Sequence, residues 1–117
     1  MTFEYQTSKK NKINIIQLSG ELIDRNQAST MLTEIEDAIT VGETKFLLNL
    51  QDLKYINSSG LNVLINVLTK ARKAGGDLAV CNVNSKISQL MTITKLDTIF
   101  NVSIDETSAY NKLISAN

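Results

Sequence analysis

The sequence predicts an α/β protein: a small mixed β-sheet that opens with an antiparallel hairpin and carries its helices mainly on one face. Three observations point to it. Two strand-like stretches stand at the N-terminus with only a short polar turn between them. After that hairpin, helix-like and strand-like periods alternate, the pattern of parallel neighbours joined by crossovers. The run Lys45-Phe46-Leu47-Leu48-Asn49-Leu50 is short and densely apolar, as a strand covered on both faces must be.

Each element has its own signal. Phe3, Tyr5 and Thr7 alternate with polar residues, giving a half-exposed strand over residues 3–7. Ser8 to Lys12 is a polar turn, and Ile13 to Leu18 is a second strand that ends at Ser19-Gly20. Asp24 reads as a helix N-cap, with Gln27 placed to close a capping box. Ala28, Met31, Leu32, Ile35, Ala38 and Ile39 then keep the three-four spacing of one buried face, and Val41-Gly42 ends that helix. After the strand over 45–50, Gln51 to Asn57 is a connection carrying Leu53 and Ile56. Ser58-Ser59-Gly60 opens a second helix with Leu61, Leu64, Ile65, Leu68 and Ala71 inward, and Gly75-Gly76 terminates it. Lys70, Arg72 and Lys73 lie near its C-terminal end, where the helix dipole favours cations. Asp77 to Cys81 is a further strand. Asn84 caps a third helix with Ile87, Leu90, Met91 and Thr94 inward. Phe100, Val102 and Ile104 suggest a last strand, and Asp105 caps a closing helix with Ala109, Tyr110, Leu113 and Ile114 inward. The five glycines fall at element boundaries in this scheme.

Composition narrows the function. The 117 residues are expected to form a single domain, 1–117, with a core that needs no staples. One cysteine cannot form an internal disulfide, and Cys81 in its apolar strand reads as a buried, inert thiol. No histidine is present, so a Ser-His-Asp or Cys-His catalytic set and a His-containing zinc site are excluded. Twelve basic residues balance twelve acidic ones, which gives no long-range attraction to nucleic acid or anionic lipid. The N-terminal residues have neither a basic start nor an apolar run, and no stretch is long enough to span a membrane. A soluble, cytoplasmic protein without membrane insertion is expected. Glu34, Glu36, Asp37 and Asp52 show no metal-site spacing, so no metal ligand and no cofactor are assigned.

One stretch carries chemistry: Leu50-Gln51-Asp52-Leu53-Lys54-Tyr55-Ile56-Asn57-Ser58-Ser59-Gly60-Leu61. A buried strand leads through a loop to two serines and a glycine, then to a strongly apolar helix. Ser58 is expected to cap that helix, which makes Ser59 its first residue, beside N–H groups without internal partners. A phosphate on Ser59 adds about −1.5 to −2 charges, which a helix N-terminus tolerates. Gly60 is expected to leave the approach to the hydroxyl open. The plain alternative is that both serines serve only as caps.

These residues resemble the STAS domain family of bacterial anti-sigma factor antagonists. The likeness rests on Gly20-Glu21-Leu22 after the second strand, on Phe46 to Leu50 followed by Tyr55-Ile56-Asn57-Ser58-Ser59-Gly60-Leu61, and on Gly75-Gly76 before Leu78-Ala79-Val80. The resemblance implies the family's cycle. A partner anti-sigma factor that is also a serine kinase phosphorylates the second motif serine, here Ser59. The unphosphorylated antagonist holds the kinase, phosphorylation releases it, and a metal-dependent serine phosphatase resets the cycle. The partner surface implied comprises Gly20, Asp24, Asn57, Ser58, Ser59, Gly60 and Leu61. The motif usually begins with Asp, and Asn57 stands there. An Asn keeps the capping oxygen and lacks the charge. If the carboxylate orients the hydroxyl, phosphoryl transfer here is slower; if it only stabilises the loop, little changes.

Other readings are set beside this one. A second reading, which Asn57 favours, is constitutive binding without phosphorylation, as in the STAS scaffold subunits of lipid-transport or stress-signalling assemblies. An enzyme would need a base for Ser59, and only Lys54 lies near in sequence. No glycine-rich phosphate loop is present for a nucleotide. Lys9, Lys10 and Lys12 read as a solvated hairpin tip, Met31 and Met91 as packing, and Asp24 as a plain N-cap before it is a contact.

Overall fold

The computed structural model describes residues 2–115; Met1, Ala116 and Asn117 lie outside the described residues. Its strands are β1 (Phe3–Lys10), β2 (Ile13–Leu22), β3 (Lys45–Ile56), β4 (Asp77–Cys81) and β5 (Asn101–Ser103). Its helices are α1 (Ser29–Thr40), α2 (Ser58–Lys73), α3 (Ser85–Ile93) and α4 (Glu106–Ser115). The sheet runs β1-β2-β3-β4-β5, antiparallel at β1/β2 and parallel across the other pairs. This is the mixed sheet with an opening hairpin that the sequence predicts.

The hairpin is tighter than expected. Ser8, Lys9 and Lys10 belong to β1, and the turn is Asn11-Lys12 alone, both with positive φ. Two left-handed residues match the twist of paired strands, which is why two-residue loops of this kind dominate hairpins. The basic tip is exposed but anchored: Lys9 pairs with Glu43 at 2.9 Å, and Lys10 lies 4.6 Å from the Tyr110 ring centroid.

β2 and β3 also run further than the periodicity suggests. β2 does not stop at Ser19-Gly20, and Gln51 to Ile56 is strand rather than connection. The β2/β3 ladder shifts register between Gln17 and Ser19 and again between Gly20 and Glu21. Gly20, at φ +86°, absorbs the irregularity, and a Cβ there would sit 2.0 Å from the Thr2 carbonyl oxygen. The shifts break the strict two-residue alternation, so Leu53 and Ile56 both face the core with two exposed residues between them.

Both faces of the sheet are covered. Phe46, Leu48 and Leu50 pack with α1, α2 and α3, while Leu47 joins Ile13, Ala79, Cys81, Ala109, Tyr110 and Leu113 under α4. That explains the dense apolar run of β3. Met31 and Met91 are core residues, as their spacing implies. Inward positions differ at the C-terminal side: Thr94 and Ile114 are exposed, and Val102 and Ile104 point outward. Phe100 precedes β5 and enters the core from outside the strand, so the phase of β5 is set by Ser103 opposite Cys81. Among the described residues no helix is long and apolar enough to cross a membrane.

Leu48 is fully buried and Ile104 is 84% exposed. Urea denaturation of Leu48→Ala should show a loss of about 2–5 kcal/mol. Ile104→Ala should stay within about 0.5 kcal/mol of the parent.

Candidate functional site

The motif residues meet at one end of the sheet, where β3 turns into α2 beside the end of β2. Asn57 caps α2, in extended backbone conformation, and Ser58 is already helical. This corrects the expectation that Ser58 caps. The physical reason lies in the Asn57 amide. Its Oδ1 accepts from the Gly60 N–H at 2.9 Å, and its Nδ2 donates to the Ile23 carbonyl at 3.0 Å. A serine hydroxyl is too short to satisfy both ends, and an aspartate has no donor for Ile23. Asn57 therefore fastens the N-terminus of α2 to the segment that follows β2.

Ser58 and Ser59 are the first two residues of α2, and both are exposed. Neither hydroxyl is engaged by another group among the described residues. The first turn of α2 carries no acidic residue, while its last turn carries Lys70, Arg72 and Lys73. The basic residues thus offset the negative C-terminal end of the helix dipole, while no acidic side chain in the first turn offsets its positive N-terminal end.

Gly60 and Leu61 are buried. As members of the expected contact surface they are corrected: they shape the turn from beneath. A Cβ on Gly60 would lie 2.3 Å from the Leu22 carbonyl oxygen and 2.4 Å from Ile56 Cγ1. Gly60 thus permits close helix-to-strand packing and has no part in opening a path to Ser59. Gly20 and Gly60 also depart from the boundary rule, one inside β2 and the other inside α2.

The segment 20–24 does lie beside the motif. Leu22 pairs with Ile56, and the Asn57 N–H reaches the Leu22 carbonyl at 3.4 Å. Asp24 is exposed and caps a short 3₁₀ turn, Arg25–Ala28, that leads into α1. The capping box with Gln27 forms as expected: Asp24 Oδ1 accepts from the Asn26 N–H at 2.9 Å, and Gln27 Oε1 accepts from the Asp24 N–H at 3.0 Å.

A groove of about 350 Å³ adjoins the motif on its α3 side. Sequence reasoning missed it. Asn84 caps α3 through Oδ1, which accepts from the Ile87 N–H at 2.9 Å, and its Nδ2 donates to the Leu53 carbonyl at 3.0 Å. The cap was readable in the sequence, but the second bond, which ties the start of α3 to β3 where Lys54 and Lys86 line one groove, was not.

With this geometry in view, comparison with known proteins decides the family. The model of the STAS domain matches residues 4–109. The chain belongs to the STAS domain family. Among curated relatives of this STAS domain is the anti-sigma F factor antagonist of Paenibacillus polymyxa, 27% identical over 114 residues, or 97% of each chain. Among solved structures, an anti-sigma factor antagonist from Mycobacterium paratuberculosis superposes with a TM-score of 0.82 at 18% identity, covering 97% of this chain and 96% of that one. The Bacillus cell fate determinant SpoIIAA in its phosphorylated form gives 0.73 at 19% identity, covering 93% and 98%. At these identities the structures establish a shared fold.

Cys81 is fully buried, and burial, followed by the nearby Glu106 and Asp105 charges, pushes its thiol up to about 12. The thiolate fraction is therefore negligible near neutral pH.

Two outcomes follow from this geometry. Asn57→Ala, which removes both side-chain bonds, should destabilise the fold by about 1–3 kcal/mol, and Asn57→Asp, which keeps the cap, should cost less. Urea melts of both variants measure the order. The Cys81 thiol should resist a disulfide-exchange reagent at pH 8 in the folded protein and react at once in denaturant.

Proposed function

We propose that this STAS domain is an anti-sigma factor antagonist that docks on an anti-sigma factor with serine-kinase activity and is released when that kinase phosphorylates Ser59. One observation carries the reading: Ser59 presents an unengaged, exposed hydroxyl in the first turn of a long helix whose N-terminal end has no acidic side chain. The kinase transfers the γ-phosphoryl group of ATP to Ser59 Oγ, the hydroxyl proton leaves, and ADP is released. The domain is the substrate in this step and contributes no catalyst.

The curated names of relatives support the role, since the Paenibacillus polymyxa protein is an anti-sigma F factor antagonist and the Staphylococcus aureus relative an anti-sigma-B factor antagonist. SpoIIAA has been solved in phosphorylated and unphosphorylated forms, which match this fold about equally, with TM-scores of 0.73 and 0.74. A phosphate here adds about −1.5 to −2 charges where the helix dipole stabilises an exposed anion by about 0.3–1 kcal/mol. The charge alters the docking surface without opposing the helix. A partner surface formed by Asp24, Ser58 and Ser59, shaped from below by Gly20, Asn57, Gly60 and Leu61, then loses its fit. A metal-dependent serine phosphatase restores the hydroxyl, and the whole cycle belongs in the cytoplasm.

The test is direct. Incubation with its partner anti-sigma kinase and ATP should add the mass of one phosphate to the wild type and to Ser58→Ala, and none to Ser59→Ala. Equal gain on Ser59→Ala, or no gain on the wild type, contradicts the assignment.

A further inference from the structure

The groove beside the motif has a built chemical character. Ile56 and Ile87, both 2% exposed, line it from the core side, and Leu90 extends the apolar wall. Tyr55 lines it as well and is 48% exposed, a large apolar surface left to solvent. Lys54 and Lys86 contribute the charge. Both are exposed, and neither is paired with a carboxylate among the described residues. Ser58 closes the groove at the motif end, one residue from Ser59. Lys54 also borders a second cleft lined by Glu4, Glu21 and Asp52, so the basic groove abuts an acidic surface.

We propose that this groove receives an acidic–apolar segment of the partner anti-sigma factor: one aliphatic or aromatic side chain against Ile87 and Leu90, with flanking Asp or Glu side chains against Lys54 and Lys86. The inference rests on the reading of the domain as a kinase-binding module and names how that module holds its partner. Charge complementarity selects the occupant. An apolar wall with two unpaired ammonium groups fits an anionic apolar segment, and a basic segment would leave both lysines opposed by like charge. The volume lies at the small end of the range for ligand sites, about 300–1,000 Å³, and suits side chains rather than a whole folded element. The groove also gives the phosphate a mechanism. A dianion on Ser59 is a rival for Lys54 and Lys86. It offsets their charge and repels the partner's carboxylates, so release needs no rearrangement of the fold.

The experiment measures the affinity of the full chain for its partner anti-sigma kinase, at low and high salt. Lys54→Gln combined with Lys86→Gln should weaken binding roughly tenfold at low salt and flatten the salt dependence, since rim charges act mainly through screened attraction. Lys73→Gln, at the far end of α2, is the control and should bind like wild type. Circular dichroism melts should show all variants folded, because the altered side chains are exposed. A double variant that binds as tightly as wild type with the same salt slope overturns the groove assignment, as does an equal loss in Lys73→Gln. Those results are separate from the phosphate test: a complex that ignores the lysines refutes the groove alone, whereas absence of any complex refutes the functional reading and the groove with it.

Discussion

Two asparagine side chains hold together the end of this molecule where β2 and β3 meet α2 and α3. Asn57 and Asn84 each cap a helix with the amide oxygen and each donate through the amide nitrogen to a carbonyl on the β2 or β3 side. An N-cap alone satisfies one of the orphan N–H groups at a helix start. The second bond does more, because it fixes where the helix begins relative to the sheet. α2 is thereby tied to the end of β2, and α3 to β3, and the Ser58-Ser59 step and the Lys54–Lys86 groove take their positions from these two ties. Gly60 completes the arrangement by letting the first turn of α2 lie against the Leu22 carbonyl and Ile56.

On the proposed reading, such an end is a fixed platform whose charge changes on phosphorylation. The first turn of α2 is bound at Asn57, buried at Gly60 and Leu61, and exposed at Ser58 and Ser59. On that reading, a phosphate added at Ser59 meets the favourable end of the helix dipole, so the helix itself does not oppose it. In the proposal, the altered quantity is the electrostatic fit to a partner. A chain with equal numbers of acidic and basic residues makes that alteration large against its background.

Much of this was legible in the sequence. The order of strands and helices followed from periodicity and punctuation, and the cap residues Asp24, Asn84 and Asp105 all accept backbone N–H groups where their sequence context implied. The motif drew attention to the turn where β3 meets α2. What was not legible depended on tertiary partners. Asn57 outcompetes Ser58 as cap because Ile23, thirty-four residues earlier, offers its carbonyl. Gly60 is required by the approach of Leu22 and not by its own turn. The latter half of β3 looked like a loop because register shifts in its pairing with β2 break the alternation on which strand recognition depends. Val102 and Ile104 alternate correctly and still face outward, because a three-residue strand takes its phase from the neighbour it pairs with.

The account stands on the claim that phosphorylation changes the charge of this turn and leaves its geometry intact. Amide hydrogen exchange at Gly60 reads that claim most directly, since its N–H is buried and donates to Asn57 Oδ1. Measured residue by residue in the unphosphorylated and phosphorylated protein, Gly60 should be strongly protected in both, with rates within a small factor of each other. A collapse of protection at Gly60 and along the first turns of α2 after phosphorylation would mean that the cap opens, and would contradict the account.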